Sequence, residues 1–194
     1  MADFDFNSVR DAGWDFLKSI DRAASMWAMP FDTIVRLPSG TKGVFGEFLI
    51  EQCCSEAGLN VSPCPSIDRG NYDRLIDDFR VEVKTSFEGV DGSWIFQQIR
   101  YPDNYDYLCC LGISPDDVKC FVLHSREIEE LMKTRQFSHQ HAGRQTWWCN
   151  VNVGVNPDWY FGEGTLNEAI DIFVKCSTGS YMSEWGQIVA LESS

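Results

Sequence analysis

Asp73, Glu82 and Lys84 stand in the stretch YDRLIDDFRVEVKTS, residues 72–86, where charged groups interrupt two strand-like runs. A tight turn at Asp77–Asp78 folds these runs into a hairpin. Side chains alternate along an extended chain, so Val81 and Val83 take one face and Glu82 and Lys84 the other. A two-residue turn sets cross-strand partners about nine to eleven residues apart, which brings Asp73 opposite Glu82 or Lys84. Two carboxylates so close repel one another and need a cation between them. Hard oxygen ligands of this kind suit Mg2+ or Mn2+. Lys84 then neutralises charge developing on a phosphate, or positions and deprotonates an attacking water. The plainer alternative is a hairpin face open to solvent with an ordinary cross-strand ion pair, worth about 0.2–1 kcal/mol.

The elements around the hairpin must hold these groups in place. Residues 7–29 carry Val9, Trp14, Phe16, Leu17, Ile20, Ala24 and Trp27 at helical spacing, and Pro30 ends that helix. A second helix is expected from Thr41 to Ala57, stopped by Gly58. Its apolar stripe is Val44, Phe45, Phe48, Leu49, Gln52 and Cys53, with Glu47 at the edge. Residues 62–70, SPCPSIDRG, read as a proline-rich loop. After the hairpin, SWIFQQIR (93–100), YDYLCCLGIS (105–114) and VKCFVLH (118–124) read as three more strands. Ser125 is the expected N-cap of the next helix, residues 136–164 are aromatic, glycine-rich and irregular, and Thr165 and Glu168 form a capping box for the last helix. Two helices, five strands, a helix, a loop-rich segment and a helix imply an α/β or α+β sandwich, with a mixed sheet of about five strands flanked by helices.

The chain has 194 residues, enough for one domain with a sizeable core. We divide it into an N-terminal helical extension (1–40), a core (41–125) and C-terminal helices and loops (126–194). The acidic start MADFDFNSVRDAGWDF lacks the basic flank and apolar run of a signal peptide, and no apolar run approaches the roughly 18 residues of a membrane span. A soluble, cytoplasmic protein is expected. Eight cysteines without a CxxC, including the adjacent pairs Cys53–Cys54 and Cys109–Cys110, read as reduced thiols serving as small apolar groups. The formal charge of −13, from 29 acidic and 16 basic residues, excludes a protein that grips a polyanion through its whole field. A nucleic-acid partner would need a local basic patch, for which Arg69, Arg74, Arg80, Lys84 and Arg100 lie in or beside the hairpin region.

A helix carrying Glu47, then Asp73 on one strand, then Glu82-Val83-Lys84 on the next, resembles the PD-(D/E)XK nuclease superfamily and its restriction-endonuclease-like fold. YDRLIDDFRVEVKTS resembles the central hairpin of that family, Thr85-Ser86 included, and FQQIRYPDNYDYLCCLGISP resembles its restriction-enzyme-like members. The likeness spans about residues 41–125 and is absent from the first forty. The family's proline is missing, since Tyr72 precedes Asp73, and Pro102-Asp103, Pro115-Asp116 and Pro157-Asp158 all follow the ExK as turn dipeptides.

The resemblance implies a metal-dependent endonuclease acting on DNA. It implies Asp73, Glu82 and the Val83 carbonyl as ligands of Mg2+ or Mn2+, and Lys84 holding the attacking water or the phosphate. Glu47 would reach a second metal or its water shell, and Gln98 or Gln97 would orient the site or touch the backbone. It also implies a homodimer, or a separate DNA-recognition subunit. A rival reading is a catalytically idle fold of the same kind, serving as a nucleic-acid-binding or scaffold subunit; an acidic interaction domain is another. His139, His141 and Cys149 lack the fourth ligand of a zinc site, and Trp147–Trp148 with Arg144 either stack on bases or fill a core.

Overall fold

A computed structural model of the chain describes residues 6–20, 30–65, 72–89, 91–101, 104–114, 117–133, 137–139, 146–152 and 165–179. The helices are α1 (Phe6–Ile20), α2 (Pro30–Ile34), α3 (Ser39–Glu56), α4 (Ser125–Lys133) and α5 (Leu166–Ser177). The strands are β1 (Val61–Pro63), β2 (Arg74–Ile76), β3 (Phe79–Phe87), β4 (Trp94–Arg100), β5 (Tyr107–Ile113), β6 (Val118–His124), β7 (Ser138–His139) and β8 (Thr146–Val151).

Five strands form a mixed central sheet in the order β1-β2-β3-β5-β6, in which β3 and β5 are parallel and the other neighbours antiparallel. The expected count of five is met with different members. SWIFQQIR is a strand, β4, but it pairs with β8 in a separate sheet of order β4-β8-β7. Its place in the central sheet is taken by β1, in a segment expected to be loop. The reason is burial on two sides. Val81, Val83, Cys109, Leu111, Cys120 and Val122 face Phe45, Leu49, Ile170 and Phe173 of the helices. Leu108, Cys110, Phe121 and Leu123 on the opposite face need a cover too, and Trp94, Phe96, Ile99, Cys149 and Val151 of the smaller sheet supply it. β5 is therefore buried at every residue, which is why its sequence is a continuous apolar run rather than an alternation.

Helix boundaries follow local chemistry. The first helix is described to Ile20, and residues 21–29 lie outside the described residues. Pro30 opens α2 rather than merely ending its predecessor, a position where its missing N–H costs nothing. Gly58, at φ 87°, follows the end of α3. The buried side of α3 is Phe45, Gly46, Leu49, Ile50, Cys53 and Cys54, while Val44 and Gln52 of the expected stripe are exposed. The buried side is displaced because α3 seats against β3 at Gly46, where a Cβ would fall 1.7 Å from Thr85 Oγ1. His124, not Ser125, caps α4: its Nδ1 accepts from Arg126 N, and its own N–H donates to Glu127 at 2.6 Å. Thr165 caps α5 as expected, accepting from Glu168 N at 3.1 Å.

Candidate active site

The hairpin forms at the expected turn. Arg74 pairs with Val81, Leu75 with Arg80 and Ile76 with Phe79. Asp77 takes a left-handed φ of 49°, which aspartate tolerates, and its carboxylate accepts from Asn60 N at 2.9 Å and Asn60 Nδ2 at 3.2 Å. Asp77 is thereby turned away from Glu82, and Asp78 is exposed.

Extending the register by one residue sets Asp73 opposite Glu82, the nine-residue spacing. Asp73 N donates to Val81 O at 3.0 Å, and Val83 N donates back to Asp73 Oδ2 at 2.8 Å. The carboxylate thus caps β3 just where β2 begins. A residue's N–H and C=O lie on the same side of a strand, so the Val83 carbonyl faces the same gap as Asp73.

Glu82 departs from the expectation of a solvent-facing hairpin. Its side chain is 1% exposed, because β4 and its sheet cover that face. Both oxygens are held by cations: Lys84 Nζ lies 2.5 Å from Oε1, and Arg100 Nη2 lies 3.1 Å from each oxygen. From the helix layer, Glu47 Oε2 accepts from Arg74 Nη1 at 2.8 Å. The same guanidinium reaches Glu51 at 3.1 Å and the Asp73 carbonyl at 2.9 Å. Arg74 ties α3 to the strand that carries Asp73.

Burial pushes the carboxyls of Glu47, Asp73 and Glu82 above the ordinary range, against opposing cations and hydrogen bonds. Arg74 opposes it at Glu47, the Val83 N–H at Asp73 and Lys84 at Glu82. The acids also act on each other: the charge of Glu82 raises Glu47, that of Glu47 raises Asp73, and that of Asp73 raises Glu82. Three carboxylates that mutually disfavour ionisation, with an ammonium among them, make this cluster the candidate site.

The donors have the chemistry of a hard divalent site, being carboxylate and carbonyl oxygens. Among the described residues Asp73 Oδ1 takes no hydrogen bond, so one oxygen of that carboxylate is uncommitted. Among the same residues no three His, Cys, Asp or Glu side chains are grouped as a ready-made metal site, and Glu82 is turned onto Lys84 and Arg100.

Gln97 and Gln98 are exposed at a bulge in β4 between Phe96 and Ile99, where Gln98 takes φ 57°. The β4 side chain that reaches Glu82 is Arg100, a residue absent from the D…ExK pattern and named from the sequence only as one of several nearby basic groups. The basic patch also changes meaning. Arg74 is paired with Glu47 and Glu51, Arg80 with Asp106, and Lys84 and Arg100 with Glu82, while Arg69 lies outside the described residues.

The loop-rich segment contains β7 and β8. His139 is exposed and stacks on Trp147 at 3.7 Å, whereas Cys149 is buried; His141 and Arg144 lie outside the described residues. Trp147 packs against the core between the sheets, and Trp148 is half-buried. Pro102-Asp103, Pro115-Asp116 and Pro157-Asp158 also lie outside the described residues. All eight cysteines are free thiols, and all but Cys64 are buried. Among the described residues no helix is long and apolar enough to cross a membrane.

No family model matches the sequence, and no curated protein matches it. Among solved structures the chain is similar to a bacterial homing endonuclease, at 14% identity and a TM-score of 0.41, over 59% of this chain and 75% of that one.

Proposed function

We propose that the chain is a divalent-metal-dependent endonuclease that hydrolyses DNA phosphodiester bonds in the manner of restriction-like enzymes. One observation carries this reading: Asp73 stands cross-strand to Glu82, with Lys84 on Glu82 and Glu47 within electrostatic reach. Asp73, Glu82 and the Val83 carbonyl would hold Mg2+ or Mn2+, and Glu47 a second ion or its water shell. When bound, such an ion supplies Lewis-acid stabilisation of the charge that develops on a phosphate. Lys84 keeps one N–H on Glu82 and holds a water or a phosphate oxygen with another. Arg74 fixes Glu47 in line with Asp73, and the cover of β4 keeps bulk water from the buried side of Glu82. Cutting both strands of a duplex takes two such sites, so a homodimer or a separate DNA-recognition subunit belongs to the proposal. A reducing, cytoplasmic setting suits seven buried thiols.

A second reading is a catalytically idle nucleic-acid-binding or scaffold subunit. The observation favouring it is that Arg74, Arg80, Lys84 and Arg100 are each already engaged by a carboxylate. Incubating supercoiled plasmid with the purified chain and Mg2+ or Mn2+ separates the two. Nicking or linearisation that disappears in chelator and in Asp73→Asn supports the endonuclease. Intact plasmid at stoichiometric protein with both metals sinks it, and DNA retention in that experiment supports the idle subunit.

A further inference from the structure

Glu82 is a buried carboxylate gripped by two cations that come from different layers. Lys84 sits two residues along the same strand and is 19% exposed, whereas Arg100 reaches across from β4 and is 34% exposed. Asp73 and Glu82 together carry two negative charges against these two positive ones, so the inner site is neutral without any metal. A divalent ion entering there leaves an excess of two positive charges in a largely buried place, which is unfavourable unless a cation withdraws or an anion arrives. Arg100 is the cation able to withdraw. Its backbone is pinned, since Tyr105 Oη donates to the Arg100 carbonyl at 2.6 Å, but its longer, more exposed side chain has solvent on one side. A guanidinium also matches a phosphate better than an ammonium does, through paired planar donors.

We propose that Arg100 is an exchangeable clamp: it holds Glu82 until a divalent cation takes that carboxylate, then turns to the phosphate of the substrate. This rests on the endonuclease reading and assigns to β4 a residue that acts on metal loading as well as on DNA. Before loading, Arg100 competes with the metal for Glu82. After loading, the bound phosphodiester and the displaced guanidinium neutralise one another, so metal and DNA each favour the arrangement the other needs.

Calorimetric titration of Mn2+ into the chain without DNA, for wild type, Arg100→Gln and Asp73→Asn, tests the first half. Arg100→Gln should bind Mn2+ about tenfold more tightly, the scale of removing one close competing charge, and should cleave more slowly. Asp73→Asn should lose the binding. DNA affinity measured in Ca2+ tests the second half, because loss of one phosphate contact should lower the slope of log affinity against log salt by about 0.9 in Arg100→Gln. Should Arg100→Gln not fold, the wild-type chain decides: the Arg100 guanidinium NMR signal, assigned with Arg100→Lys, should shift on adding Mg2+. Metal binding that leaves that signal unmoved, or an Arg100→Gln affinity equal to or weaker than wild type, overturns the clamp while the endonuclease stands. Absence of both metal binding and cleavage in wild type overturns the two together.

Discussion

Gly46 of α3 and Thr85 of β3 touch where no side chain could fit between them: a Cβ on Gly46 would fall 1.7 Å from Thr85 Oγ1. Gly46 precedes Glu47 and Thr85 follows Lys84, so this contact sets how near the helix-borne acid stands to the hairpin. Gly46→Ala should cost about 1–3 kcal/mol by overpacking, despite the better helix propensity of alanine. Among the described residues Thr85 Oγ1 is buried without a hydrogen-bond partner, so Thr85→Ala should cost little and should relieve part of the clash. In a double-mutant cycle by urea unfolding, Gly46→Ala should be milder in the Thr85→Ala background. Additive costs would show that α3 does not seat on this pair.

Removing Glu82 is a stability experiment as much as a test of the proposed catalysis. Glu82→Ala leaves Lys84 and Arg100 facing a covered pocket without their carboxylate, and should cost about 3–5 kcal/mol. Lys84→Met leaves Arg100 on Glu82 and should be clearly milder. Denaturant midpoints for both variants check the order; a Glu82→Ala midpoint at the wild-type value would mean the face is open to solvent after all.

His124 makes the stability of α4 depend on pH. Burial, then the charge of Arg126, holds its imidazole below the ordinary value near 6.5, with Asp106 opposing. The neutral ring accepts the Arg126 N–H, and protonation removes that acceptor. Because the folded value lies below the unfolded one, the contribution is fully present above about pH 6.5. It falls as the pH drops through that value and is gone below the depressed one. His124→Asn keeps a capping oxygen that does not titrate. Urea midpoints for wild type should drop more than those for His124→Asn between pH 7.5 and pH 5.5, and parallel curves would remove His124 from the explanation.

The thiols should divide sharply by reactivity. Burial pushes Cys53 up to about 12 and Cys54 higher still, and raises Cys110, while Cys120 is raised chiefly by its contact with Cys109. Cys64 is half-buried in the segment after β1. A thiol reagent at neutral pH should therefore modify one cysteine quickly in the native chain and all eight after unfolding. Rapid native labelling of several would show that the sheet face beneath α3 opens on the same timescale.

What could be read from the residues was local. The turn at Asp77–Asp78 and the alternation of Val81, Glu82, Val83 and Lys84 depend on neighbours a few positions away, and both appear at the expected places. The nine-residue spacing from Asp73 to Glu82 likewise follows from one turn. What covers Glu82 depends on β4 pairing with β8, from Trp94 to Val151, and nothing in SWIFQQIR names its partner. A strand's type is written in its own pattern; the sheet it joins is decided by which apolar face still needs covering. Arg100 was hard to see for the same reason, because it reaches Glu82 only once the second sheet is laid over the first. β1 was hidden by prolines, which suggest loop although a short edge strand admits them.

That edge strand bears on how two copies could meet. β1 is the outermost strand beside the hairpin; Asn60 O and Cys64 N bond inward to Asp77 and Asp73. By alternation the outward backbone groups are those of Val61 and Pro63, and Pro63 has no N–H. The rim nearest Asp73 therefore offers one amide donor to a neighbouring chain. The Val61 and Pro63 carbonyls remain as acceptors, so a strand laid along it would gain only a short ladder missing one donor, which weakens sheet-to-sheet pairing at this border. Two chains that came together to sever both strands of a duplex would gain little by pairing along β1, and a join elsewhere leaves the border beside the carboxylates open to the nucleic acid.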